Sequence, residues 1–299
     1  MNSLTHKVAL TGSTGYLGGL VGMSLSKRGV DALHINRNLT KSQAKFGPNV
    51  SFVSAESSAS ELEAIFSKHE ITSIVHTATF FTQLRTTEVL PQILKANFDF
   101  SVRVFEAAKA VGARFINFNS FWQRETHEYG LGPYAAVKEA FRHYLEVAAP
   151  VGMQICDIYV PDTFGPNDLR NKLIANMIQA KVLEKRYPIR NPDAEIDLSY
   201  GPFLAEFVSD LILENAVFFR RAAYINYENV HIGRLQSLIS EVIFSSEVIE
   251  PEYDGSLLQR RQTLSEPQSA LHRFGALPNS SLEESLKYTV AMNLGSTLS

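Results

Sequence analysis

Through Val160 the chain alternates short apolar runs with longer stretches in which apolar positions recur every three or four residues. The runs predict strands over 7–11, 32–36, 50–53, 73–77, 114–119 and 154–160, and the amphipathic stretches predict helices over 16–27, 58–68, 90–111 and 134–147. Strands that are apolar throughout and separated by helices belong to a parallel sheet covered on both faces. The predicted fold class is therefore α/β, a doubly wound parallel sheet followed by a smaller, mixed C-terminal lobe. Beyond Val160 the rhythm changes. Pro161, Pro166, Pro188, Pro192 and Pro202 punctuate the chain, so 163–199 reads as a loop-rich insertion carrying one helix over about 173–185. A helix over 203–216 and a strand over 223–226 return to the sheet. The remainder, 231–299, holds one clear helix, a polar middle with Arg260-Arg261, and a final helix near 282–293.

Composition narrows the function classes. With 299 residues, 45% of them hydrophobic, the chain can bury a large core. Its 28 basic and 31 acidic side chains leave a formal charge of −3, with no polycationic face for nucleic acid and no basic run for a membrane surface. Cys156 is the only cysteine, which rules out an internal disulfide and a cysteine metal cluster and favours a reducing compartment. The eight histidines form no H-x-x-x-H pattern, so no metal site is expected and His76 reads as strand packing. The opening residues run directly into a strand without a charged and then apolar leader, and the expected location is cytoplasmic.

Gly12, Gly15 and Gly18 stand at G-x-x-G-x-x-G spacing between a β-branched strand and an amphipathic helix. The first glycine permits the tight turn, the second lets backbone approach a pyrophosphate, and the third allows close helix–strand packing, with the anion at the helix N-terminus. The loop residues Gly12, Thr14, Gly15, Tyr16, Leu17 and Gly18 are thus candidate contacts to a dinucleotide. At the end of the second strand, where an NAD-selective protein places a carboxylate for the ribose 2′-hydroxyl, stand Asn36 and Arg37. A guanidinium there matches a 2′-phosphate, which favours NADP(H), with NAD(H) left open and a solvated Arg37 as the plain alternative. Glu56, just past the third strand, is a candidate acceptor for the adenine amino group.

Tyr134 and Lys138 lie at i and i+4 of a predicted helix and so share one face. A phenol titrates near 10, and a neighbouring ammonium brings it toward a useful range for general acid work on a carbonyl. Ser120, at the C-terminal end of the fifth predicted strand, can hydrogen-bond the same oxygen, and Lys138 can hold the nicotinamide ribose. Tyr-x-x-x-Lys is weak alone. Joined to the glycine loop and a serine at a strand end, it describes a nicotinamide-dependent oxidoreductase. On this reading 1–162 with 200–230 form the Rossmann dinucleotide-binding part, and 163–199 with 231–299 form the substrate lobe.

The chain resembles the extended short-chain dehydrogenase/reductases, in the nucleotide-sugar epimerase, dehydratase and reductase branch. Val75-His76-Thr77-Ala78 resembles the fourth strand ending beside the cofactor, and Lys95-Ala96-Asn97-Phe98 the asparagine-bearing helix. Phe164-Gly165-Pro166-Asn167-Asp168 resembles the turn that closes over the nicotinamide, Lys172-Leu173-Ile174 the segment after it, and 274–278 through 282–286 the terminal helix. The resemblance implies cofactor contacts from Ala78, Asn97, Pro161 and Thr163, a nucleotide-sugar substrate and a helix-paired homodimer. Family members that dehydrate sugars carry Asp-Glu directly after the hydroxyl residue, whereas Ser120 is followed by Phe121-Trp122. Residues 115–122 are instead similar to the strand end of CDP-4-keto-deoxyhexose reductases, the paratose and abequose synthase type, and Phe80-Phe81 suits that group. Two departures remain: Tyr159 replaces the sixth strand's usual arginine, and 195–201 replaces the usual Arg-Asp-Phe-Tyr-Val-Asp-Asp run. Phe80, Phe81, Phe121 and Trp122 wall a sugar or base pocket or else fill core. Asn167, Arg170 and Lys172 are the remaining substrate candidates, the two cations meeting a diphosphate or standing as solvated charges. The leading expectation is NADPH-dependent reduction of a 4-keto nucleotide sugar; a C4 epimerase with tightly held NAD and a non-catalytic NADP-binding sensor are the alternatives.

Overall fold

The computed structural model describes residues 6–82, 84, 86–123, 132–213, 220–243, 251, 262–263, 272–274 and 281–297. Arg260-Arg261 and residues 275–278, singled out above, lie outside the described residues, as does the side chain of Trp122.

The amino-terminal half follows the predicted alternation. β1 (Val8–Thr11) feeds α1 (Tyr16–Lys27) across the glycine turn, and β2 (Leu33–Asn36), α2 (Leu39–Phe46), β3 (Phe52–Ser54), α3 (Ala59–Lys68) and β4 (Ser73–His76) follow. Every residue of β1, β2 and β4 is buried, as strands covered on both faces require. α2 is an element the hydrophobic pattern does not predict. It is short, with only Leu39 and Phe46 as large apolar residues, and it is held by a cap, Lys41 N–H donating to Asn38 Oδ1 at 2.9 Å, and by Phe46 packing on His34 at 4.2 Å between ring centroids. The helix predicted over 90–111 is broken into α4 (Leu90–Leu94), a π turn over Lys95–Asp99 and α5 (Phe100–Ala110). Such single π turns widen a helix locally and re-aim its side chains.

β5 (Arg114–Ser120), α6 (Pro133–Ala148) and β6 (Ile155–Val160) come next, and then β7 (Asp162–Phe164), α7 (Leu173–Val182), β8 (Glu195–Tyr200), α8 (Gly201–Leu213), β9 (Arg221–Tyr224), β10 (Tyr227–His231), α9 (Ile232–Val242), β11 (Gln262–Thr263), β12 (His272–Phe274) and α10 (Leu282–Thr297). Among the described residues the main sheet has nine strands in the order β11-β12-β9-β6-β5-β4-β1-β2-β3, and β11–β12 is the one antiparallel pair. The order reverses between β1 and β4. That switch point opens a crevice at the carboxyl ends of the strands, where ligands bind in open α/β sheets.

One face of the sheet packs on α1 and α8 through Leu25, Phe207 and Leu211, and the other on α3, α5 and α6 through Phe66, Phe105 and Phe141. A second sheet, β10-β8-β7, takes β7 and β8 from the two edges of the region read as loop-rich and β10 from beyond it. Its strands escape the proline-based reading for different reasons. β7 has three residues between Pro161 and Pro166, too few to show a period, whereas β8 carries Ile196, Leu198 and Tyr200 in strict alternation, a signal the punctuation masks.

Candidate active site

A cleft of about 980 Å3 runs along the switch point, at the upper end of the roughly 300–1,000 Å3 usual for small-molecule sites. Of the sequence-predicted residues it brings together Gly12, Thr14, Gly15, Tyr16, Leu17, Gly18, Asn36, Arg37, Glu56, Ala78, Phe80, Phe81, Ser120, Tyr134, Lys138, Pro161, Thr163, Arg170 and Lys172. Asn97, Phe121 and Asn167 are not among the lining residues.

The glycine loop is built as the spacing requires. Gly12 has φ +70°, and a Cβ there would come within 2.7 Å of Ala78 backbone, while one at Gly18 would overlap Thr77 Oγ1 and the Gly12 carbonyl. Lys45 donates to the Gly15 carbonyl at 2.8 Å, a support the sequence reading missed.

Asn36 lines the cleft and is also part of a buried hydrogen-bond chain. It is 3% exposed, and its Nδ2 donates to Ser13 Oγ at 2.7 Å and Ser42 Oγ at 3.0 Å. Ser42 Oγ donates on to the Asn38 carbonyl at 3.2 Å, and Ser13 Oγ meets His34 Nδ1 at 2.8 Å. Burial lowers the His34 pKa to about 4, so the ring is neutral and free to accept. This chain fixes the Asn36 amide and leaves its Oδ1 without a partner among the described residues. Arg37 lines the same end of the cleft with Lys41. Glu56 is exposed and stands 3.5 Å from Lys95 Nζ.

Asn97, expected as a cofactor contact, is not among the residues that line the cleft. The π turn buries it against the loop after β4, where its Oδ1 accepts from Phe80 N–H at 2.6 Å and its Nδ2 donates to the Phe80 carbonyl at 3.0 Å. It shapes the cleft without lining it. The clamped loop presents Thr79, which hydrogen-bonds Tyr134, and Phe81, whose ring meets Tyr134 edge-on at 5.1 Å between centroids.

Tyr134 and Lys138 project from α6 as predicted, both buried. Burial pushes the Tyr134 phenol up to about 12, with the Thr79 hydrogen bond working against it. The expected lowering by Lys138 has no part in this balance, and the phenol is protonated at neutral pH. Lys138 donates to the Phe118 carbonyl at 2.6 Å, and desolvation lowers its pKa to about 8. Ser120 closes β5, its N–H held by Gln123 Oε1 at 2.8 Å, and Gln123 in turn donates to Glu139 of α6 at 3.1 Å. His76 is strand packing, as expected. It bridges Thr11 Oγ1 at 2.9 Å and Ser101 Oγ at 2.8 Å, and burial holds it neutral.

At the other end, Phe121 is partly buried against Tyr159, Ala223 and Ile225 and does not line the cleft. Asn167 turns away from the cleft, with φ 58° and its N–H donating to Asn293 Oδ1 at 2.6 Å. Arg170 is committed to Asp168 through two 2.7 Å contacts and to Thr163, and it stacks on Tyr16 at 4.4 Å. Lys172 Nζ lies 3.9 Å above the Phe81 ring. Among the described residues no group of three or more His, Cys, Asp or Glu is arranged to hold a metal, and no helix is long and apolar enough to cross a membrane.

A glycine loop at the switch point, with serine, tyrosine and lysine converging on the same cleft, defines a doubly wound dinucleotide-binding fold with an oxidoreductase-type site. The chain belongs to the NAD dependent epimerase/dehydratase family, whose model matches residues 8–200. Among solved structures it is similar to UDP-glucose 4-epimerase from Thermotoga maritima with UDP-glucose, at 17% identity and TM-score 0.74 over 98% of this chain and 100% of that one. UDP-N-acetylglucosamine 4-epimerase from Methanobrevibacter ruminantium in complex with UDP-N-acetylmuramic acid gives 19% and 0.74 over 97% and 99%. UDP-glucose 4-epimerase from Thermus thermophilus in complex with NAD gives 17% and 0.71 over 97% and 99%. At these identities the likeness is one of fold. No curated protein sequence matches the chain.

Proposed function

We propose that the protein uses NADPH to reduce the 4-keto group of a CDP- or dTDP-linked deoxyhexose to an alcohol. The observation that carries this reading is the convergence of Ser120, Tyr134 and Lys138 with the glycine loop on one cleft that has Arg37 and Lys41 at its far end. The residues fit a dinucleotide. A side chain at Gly12 or Gly18 would fill the loop, and the unpartnered Asn36 Oδ1 suits a ribose hydroxyl as donor. Arg37 would pair with a 2′-phosphate.

The bound coenzyme supplies hydride to the carbonyl carbon. Tyr134, protonated at neutral pH, gives its proton to the carbonyl oxygen as general acid, and the Ser120 hydroxyl donates a hydrogen bond to the same oxygen. The Lys138 ammonium holds the ribose and favours the phenolate left behind. Phe80 and Phe81 wall the sugar, and Lys172 meets the diphosphate. Because Phe121 follows Ser120 where elimination needs a carboxylate pair, reduction is favoured over dehydration. We assign the coenzyme to 1–162 with 200–230 and the sugar nucleotide to 163–199 with 231–299, in a cytoplasmic homodimer.

One observation favours a second reading, a C4 epimerase with tightly held NAD. Asn36 Oδ1 is an acceptor, which suits a free ribose 2′-hydroxyl better than a phosphate. Coenzyme handling separates the two. A reductase purifies without NAD, binds NADPH more tightly than NADH and oxidises it only when a 4-keto sugar nucleotide is added. Protein that retains NAD through purification and interconverts sugar nucleotides with no net coenzyme use contradicts the reductase.

A further inference from the structure

Asp157 is a buried carboxylate that the proposed chemistry leaves unused. It sits on β6 at 2% exposure, in register with Asn117 of β5. Its Oδ1 accepts from the Nδ2 groups of Asn117 and Asn119, each at 2.8 Å. Alternate residues of a strand share a face. Phe115 and Ile155, on the face of Asn117, Asn119 and Asp157, pack with Phe141 and Leu145 of α6. The carboxylate and its asparagines therefore lie beneath α6, the helix that carries Lys138 and, one turn on, Arg142. Lys138 hydrogen-bonds the carbonyl of Phe118, which lies between the two asparagines. An isolated ammonium and an isolated carboxylate are each strongly disfavoured in such a place, and together they offset one another.

We propose that Asp157 is the buried counter-charge that keeps Lys138 an ammonium at the base of the cleft, with Asn117 and Asn119 fixing the carboxylate. Asp157 is on this account a positioning residue that acts through Lys138. The inference rests on the reading that Lys138 holds the coenzyme ribose. Desolvation lowers the Lys138 pKa to about 8, with Asp157 opposing it, and burial raises the Asp157 pKa to about 6. The carboxylate is thus ionised where Lys138 titrates. The other groups coupled to the pair are Arg142 of α6, Arg221 of β9, Tyr159 of β6 and, behind the strand, Cys156 for Asp157, and His76 of β4, which burial holds neutral, for Lys138. Both arginines are engaged by Glu146, and Arg142 also by Glu139. Tyr159 titrates near 12 and burial pushes the Cys156 thiol up, so neither changes charge between 6 and 8.

The sign follows. Losing the carboxylate removes an attraction for the ammonium, so Lys138 loses its proton at lower pH. Coenzyme titration of the full chain with NADPH from about pH 6 to 10, followed by fluorescence, should show affinity falling through a midpoint near 8 in the wild type. In Asp157→Asn that midpoint should move acidward by about one pH unit, with affinity near pH 6 within about twofold of wild type, because Lys138 is charged there in both. An unmoved midpoint, or a loss equal at every pH, overturns the proposal. Wild type that binds no nicotinamide coenzyme at any pH overturns both this and the function proposed above. Should Asp157→Asn not fold, Lys138→Met reads the same pairing. Its Asp157 should hold a proton at neutral pH, seen as a protonated-carboxyl infrared stretch that wild type lacks, and identical spectra overturn the pairing.

Discussion

The two ends of the cleft are built differently. At the glycine-loop end the polar side chains hold one another: His34, Ser13, Asn36 and Ser42 form a continuous chain of hydrogen bonds that ends on the Asn38 carbonyl, presets the loop and leaves one acceptor over. At the other end the cations carry the arrangement. Arg170 is tied down by Asp168 and Thr163, while Lys172 stands over Phe81 facing the cleft. The first end is preorganised for one ligand shape. On the proposed function the second selects mainly by charge and by the aromatic wall that Asn97 clamps beside Tyr134, so substitutions at the two ends should fail in different ways.

The largest expected effect falls where the ends meet. Tyr134→Phe should retain coenzyme binding and lose turnover by roughly the 10²–10⁴-fold attributed to general acid catalysis; full activity in steady-state assays would place the acid elsewhere. Gly18→Ala should overlap Thr77 and the Gly12 carbonyl, costing about 1–3 kcal/mol in coenzyme affinity or stability, measured by calorimetry and thermal melts. A fully tolerated methyl would mean the loop is not preset. Arg37→Asp should weaken NADPH by about 1–3 kcal/mol and leave NADH nearly unchanged, and equal losses for the two coenzymes would remove the 2′-phosphate assignment.

The smallest effects sharpen the contrast at the sugar end. Lys172→Ala should raise KM for the sugar nucleotide by about tenfold, near 1.4 kcal/mol, with kcat little changed. Arg170→Ala should instead lower stability, since Asp168 is 4% exposed at its side chain and would lose its partner. The reverse pattern would show that Arg170, and not Lys172, meets the diphosphate.

How much was legible follows the same division. The strand–loop–helix around Gly12 to Gly18 and the Tyr134/Lys138 pair are local, so spacing alone reveals them. Asn97 was recognisable as a residue of interest but its role was not, because a π turn, invisible in a 3.6-residue period, aims it at Phe80. Thr79, Gln123 and Asp157 could not be found from spacing. Their partners are Tyr134, Glu139 and the two asparagines on neighbouring elements, and each contact exists only once β4, β5, β6 and α6 are assembled. In the small sheet β7 and β8 were hidden by the prolines that flank them, although Ile196, Leu198 and Tyr200 alternate visibly.

The most direct test of the central claim follows the hydride. Purified protein given C4-deuterated NADPH and a CDP- or dTDP-linked 4-keto-6-deoxyhexose should oxidise one coenzyme per sugar reduced and place the deuterium at C4 of the product. Interconversion of sugar nucleotides with no net coenzyme consumption and no deuterium transferred from the added NADPH would contradict the reductase and leave the fold and the Ser120, Tyr134 and Lys138 cleft to an epimerase.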